Sequence, residues 1–89
     1  MYLAKVVGTV VSTSKDERLV GFKLLLIQRV HSDGAAVGGQ EVAVDTVGAG
    51  TGETVIITKG SSARFAANRQ QAPLDATIVG IVDVVEVED

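Results

Sequence analysis

Three groups of residues have the types and spacing to do chemistry. Gly48, Gly50 and Gly52 lie in the turn Thr46–Gly52, between the apolar runs Val42–Val44 and Val55–Ile57, where a glycine-rich loop after a strand invites a phosphate-binding reading. His31, Ser32 and Asp33 are the residue types of a hydrolytic triad. Asp75 and Asp83 are carboxylates of the kind used in acid–base work. None of the three groups completes its pattern. A phosphate loop needs Lys-Ser/Thr and a helix after its glycines, whereas Glu53, Thr54 and the β-branched run Val55-Ile56-Ile57 follow Gly52. The third glycine of a dinucleotide fingerprint falls at Glu53, whose carboxylate repels phosphate. Triad partners converge from separate segments, while His31-Ser32-Asp33-Gly34 reads as a single turn. Neither aspartate has an evident partner, and Asp75 is expected to cap the turn after Pro73-Leu74. The glycines therefore read as a hairpin turn, and no catalytic group, cofactor site or metal site is expected.

The elements that would position these residues are strands. Val, Ile and Thr dominate the runs Leu3–Thr13, Gly21–Val30, Glu41–Asp45, Glu53–Lys59 and Ala76–Val87. Ser14–Arg18, His31–Gly39, Thr46–Gly52 and Gly60–Ala72 separate them. The last of these contains Ser61-Ser62-Ala63-Arg64, where either serine is expected to N-cap a short helical turn that ends before Pro73. Five strands with one short helix before the last predict an all-β fold, a small and mostly antiparallel barrel.

The strands are apolar on both faces. Ala4, Val6 and Val10 oppose Leu3, Val7 and Val11; Phe22, Leu24 and Leu26 oppose Leu25 and Ile27; Val79, Ile81, Val85 and Val87 oppose Ile78, Val82 and Val84. An antiparallel strand exposed on one side carries polar residues there. With no long helix to cover the second face, another subunit is the expected cover, at about 1.5–3 kcal/mol per fully buried Val or Ile.

Composition narrows the classes further. The chain has 89 residues, which predicts a single domain spanning 1–89. It has no cysteine and one histidine, so disulfides, thiolate sites and a histidine metal cluster are excluded as staples and oligomerisation is left. A net charge of −3, scattered Lys and Arg, and only Tyr2, Phe22 and Phe65 as aromatics argue against nucleic acid as partner. No apolar run reaches the ~20 residues of a membrane helix, and Met1–Lys5 lacks the pattern of a signal peptide, so no membrane and a cytoplasmic location are expected.

Val6-Val7-Gly8-Thr9-Val10-Val11-Ser12-Thr13, Leu19-x-Gly21-x-Lys23-Leu24-Leu25, Val42–Gly50, Gly52-Glu53-x-Val55, Gly60–Arg64 and Pro73-Leu74-Asp75-Ala76-x-Ile78–Asp83 occur in an order and spacing that resembles the EutN/CcmL family. Ser32–Gly39 is the segment whose residues match no pattern. The resemblance implies a vertex protein of a bacterial microcompartment. It implies an OB-like five-stranded barrel, a cyclic homopentamer, hexagonal shell proteins as partners, a place in the shell in the bacterial cytoplasm, and a structural rather than enzymatic role. In that frame Asp45, Ser61, Ser62 and Arg64 are candidate interface residues, and Val47, Gly48, Ala49, Gly50, Gly52 and Glu53 a candidate loop at the five-fold axis. Glu53 has Lys59 and Arg64 as candidate ion partners, within or across subunits. The competing reading is an OB-like binding module for an oligonucleotide or other ligand.

Overall fold

The computed structural model describes residues 1–13 and 15–88; Ser14, in the expected turn Ser14–Arg18, and Asp89, at the end of the acidic tail Glu86–Asp89, lie outside the described residues. Strands β1 (Tyr2–Val10), β2 (Lys23–Val30), β3 (Ala36–Asp45), β4 (Thr54–Lys59) and β5 (Ala76–Val82) form a closed barrel in the order β1-β2-β3-β5-β4, with helix α1 (Gly60–Ala66) between β4 and β5. All pairs are antiparallel except β3 with β5. That parallel pair is short, with Val44 opposite Thr77 and Asp45 opposite Ile78. A parallel neighbour requires a crossover, and β4 with α1 supplies it.

The five expected strands are present, and three of their boundaries move by three residues or more. β3 begins at Ala36 rather than Glu41, because Gln40 and Ala36 pair with Gln28 and Val30 across a bulge. Gly38 and Gly39 conceal this extension, since glycine is depleted in strands. β5 ends at Val82 although strand-forming valines continue to Val87, because no described strand lies beside them. β1 ends at Val10 rather than Thr13.

The core fills the barrel. Ala4, Val6, Leu25, Ile27, Ala43, Val55, Ile57 and Ile78 are all buried and face inward. A second apolar cluster lies outside the sheet, where Ala63, Ala67, Ala72 and Leu74 pack with Val44, Leu24, Phe22 and Leu19. The expectation that another subunit covers the outer faces is therefore corrected for one side. A seven-residue helix and the segment after it cover the β2–β3 side. Three alanines at the contact let the backbones approach closely. Val7, Val42 and Ile81 remain uncovered on the outside of the barrel.

Helix α1 is anchored differently from the expectation. It starts at Gly60, its N-cap Lys59 makes no side-chain capping bond, and Ser61 and Ser62 sit exposed inside the first turn. The Gly60 N–H instead donates to Asp75, to the backbone carbonyl at 3.0 Å and Oδ1 at 3.1 Å. Asp75 thus caps α1 rather than its own turn. The buried Thr77 hydroxyl donates to the Ala63 carbonyl at 2.8 Å, tying α1 to β5.

Candidate functional site

The glycine turn is not the expected hairpin, because β3 and β4, which it joins, do not pair and β5 lies between them; the turn is held by two carboxylates. Asp45 Oδ1 accepts from the Val47 N–H at 3.1 Å and Oδ2 from the Ala49 N–H at 2.9 Å. Glu53 Oε1 accepts from the Gly50 N–H at 2.7 Å. The turn is stitched to β1 by Gly52 N–H to the Val6 carbonyl, 2.8 Å, and Val6 N–H to the Glu53 carbonyl, 3.0 Å. Gly48 and Gly52 have φ of +82° and +92°, values that side chains with a Cβ resist. The N–H groups a phosphate would need are occupied by the chain's own carboxylates, so this loop is no anion cradle. Ala49 is fully buried, whereas Val47, Gly48, Gly52 and Glu53 are exposed.

Glu53 pairs with neither Lys59 nor Arg64 inside the chain, because its carboxylate is committed to the turn. Arg64 is half-buried and makes one long bond, 3.4 Å, to the Leu74 carbonyl. Phe65 beside it is 75 % exposed. No hydrogen bond or ion pair among the described residues joins the Gly60–Arg64 segment to the glycine turn, so the structure does not unite the two groups of candidates in one chain. His31, Ser32 and Asp33 form the exposed β2–β3 hairpin tip, where Asp33 Oδ1 accepts from the Ala35 N–H at 2.9 Å.

One polar group escaped the sequence reading. Tyr2, Arg29, Glu41 and Lys59 each stand two residues beyond a buried core residue, Ala4, Ile27, Ala43 and Ile57, and so share the inward parity at one end of the barrel. They line a recess of about 340 Å³ with Val37, Gly38 and Gly39. The Tyr2 hydroxyl donates to Glu41. Lys59 Nζ donates to Glu41 Oε2 at 3.0 Å and pairs with Asp75 Oδ2 at 3.0 Å. The Arg29 guanidinium stacks 4.5 Å from the Tyr2 ring centre. The Glu41 and Asp75 contacts raise the Lys59 pKa, Glu41 contributing most. Lys59 in turn holds the Asp75 carboxyl below its ordinary value. The signal for this cluster was polar residues in core parity, readable only once the register is known.

This barrel is shared with proteins of known role. The family model described as "Ethanolamine utilisation protein EutN/carboxysome" matches residues 1–83. The chain belongs to the EutN/CcmL family. It is 55 % identical over 86 residues to the microcompartment shell vertex protein GrpN of Rhodospirillum rubrum, covering 97 % of each chain. It is 52 % identical over 87 residues to the carboxysome shell vertex protein CcmL of Synechocystis, covering 98 % of this chain and 87 % of that one. The solved pentameric shell protein GrpN superposes with a TM-score of 0.90 at 53 % identity, over 99 % of this chain and 100 % of the other. The pentameric shell protein of the RMM microcompartment gives 0.82 at 30 % identity, over 100 % and 98 %. The EutN/CcmL match supports the barrel and its helix, and it stops where the valine-rich tail begins.

Two outcomes follow from these contacts. Asp45→Ala frees two N–H groups and lowers stability by about 1–3 kcal/mol. Hydrogen exchange then quickens at Val47 and Ala49, and unchanged protection there would remove Asp45 as the turn's clamp. The Lys59 contacts are half-exposed, so Lys59→Gln costs only ~0–1 kcal/mol at neutral pH. The depressed Asp75 makes its share present above the ordinary carboxyl value of 3.8 and lost as pH falls through the lower folded value. The raised Lys59 makes its share complete below 10.5 and lost as pH rises through the higher folded value. The difference in Tm between parent and variant is therefore constant between those limits and shrinks outside them; a difference that grows in acid contradicts the assignment.

Proposed function

We propose that this chain is a structural subunit of a bacterial microcompartment shell in the bacterial cytoplasm. It closes that shell as a cyclic homopentamer at the vertices, beside hexagonal shell proteins, and performs no catalysis. The observation that carries the reading is the near-complete superposition on GrpN, a pentameric shell protein. The physical argument is one of closure. A head-to-tail interface whose rotation closes after five copies makes a ring, and a shell tiled by hexagonal units needs five-fold points to close. Such a role asks for surface and rigidity rather than a reactive group. The uncovered Val7, Val42 and Ile81 offer apolar surface, and each valine or isoleucine fully buried at the interface contributes about 1.5–3 kcal/mol.

In this reading Arg64, Ser61 and Ser62 face a neighbouring copy. Arg64 suits an interface because its planar group has a single weak acceptor among the described residues. Asp45 acts on assembly indirectly, by fixing the turn, since both its oxygens are engaged there. Val47, Gly48, Gly52 and Glu53 present the turn's surface towards the five-fold axis, while Ala49 and Gly50 lie behind them and set its shape. Native mass spectrometry is expected to find five copies, and Arg64→Ala to lower the pentamer fraction on dilution. A hexamer would overturn the vertex role, and an unchanged pentamer in the variant would remove Arg64 from the interface.

A further inference from the structure

The chain continues past β5 as Asp83-Val84-Val85-Glu86-Val87-Glu88, outside every strand and, after Asp83, outside the span matched to the family. Val84 is 71 % and Val87 70 % exposed. A segment of this composition is a strand without a partner. Elsewhere in the fold there is a partner without a strand. β5 meets β3 only at Val44 and Asp45, so from Ala36 to Glu41 β3 is paired with β2 alone. An unpaired edge is a template for an added strand. Gly39 keeps that edge open, with nothing within 4 Å of where a Cβ would stand.

Charge fits the two together. The edge borders the recess at the barrel end, where the Arg29 guanidinium has no hydrogen-bond acceptor among the described residues and stacks on the Tyr2 ring. Lys59 beside it already has two carboxylates. The tail alternates, with Glu86 and Glu88 on one side and Val85 and Val87 on the other. Six extended residues span about 20 Å, the length of the unpaired edge.

The flanks decide whose tail it is. A chain's own tail leaves on the β1–β2 side of the hairpin, where Val85 lines a groove with Leu3 and Val30. The free edge lies on the β3 side. A donor on one flank and an acceptor on the other is the head-to-tail arrangement that builds a ring. Resting on the homopentamer reading, we propose that residues 83–88 of one copy add as a strand to the β3 edge Ala36–Glu41 of the next, and that a tail glutamate supplies the carboxylate that Arg29 lacks.

The chain has no cysteine, which makes the test clean. In the full chain, Gly39→Cys combined with Glu86→Cys is oxidised and run on a denaturing gel. A covalent ladder rising to five copies is expected, against at most dimers from either single variant. A double variant that native mass spectrometry shows to be a ring, yet that runs as a monomer after oxidation, overturns the tail contact and leaves the ring reading intact. A parent chain that forms no ring overturns the ring reading itself. Should the cysteine variants fail to assemble, charge reversal decides. Glu86→Lys with Glu88→Lys raises the concentration of half-dissociation by about tenfold, and adding Arg29→Glu restores it. Absence of either effect overturns the proposal.

Discussion

The structure depends on how the barrel closes. Five short strands bring their last member, β5, between β3 and β4, and the only parallel contact among the described residues is the brief pairing at Val44 and Asp45. The contact is brief because Asp45 turns the chain immediately, its carboxylate binding the next N–H groups. From this constraint follow the crossover through α1, the helix lying over Val44, and the length of β3 that no strand covers. Closure completes the core and leaves specific edges and valines on the outside. The fold is finished as a barrel and open as a surface, which is what a subunit of an assembly requires.

Charged groups in this protein shape backbone. Asp45 and Glu53 fix the glycine turn, Asp75 seats the start of α1, and Glu41 gathers Tyr2 and Lys59 at the barrel end. Catalytic carboxylates are kept available to a substrate, whereas each of these accepts from the chain itself. Arg29 stands apart, stacked on Tyr2 without an acceptor among the described residues. In a small domain with no disulfide, such fixed turns offset the modest core and hold the surfaces in the geometry a ring needs.

Much of this was legible in the residues. Runs of Val, Ile and Thr marked all five strands, and the spacing of six motifs marked the family. What was hidden depended on contacts distant in sequence. Gly38 and Gly39 read as turn because their strand character comes from pairing with β2, and Val84–Val87 read as strand because composition does not reveal a missing partner. Ser61 and Ser62 looked like caps, but the anchor came from Asp75, fifteen residues beyond Gly60. The second apolar face looked like an interface throughout, yet α1 covers part of it with alanines. The barrel-end cluster needed the strand register before its parity had meaning.

The central claim is that this barrel supplies the five-fold points that close a shell. The most direct measurement is electron microscopy of shells assembled with and without this chain, in a background lacking any other vertex protein. Shells that are open or elongated without it, and closed polyhedra when it is restored, are the predicted result. Closed polyhedral shells in its absence would contradict the claim.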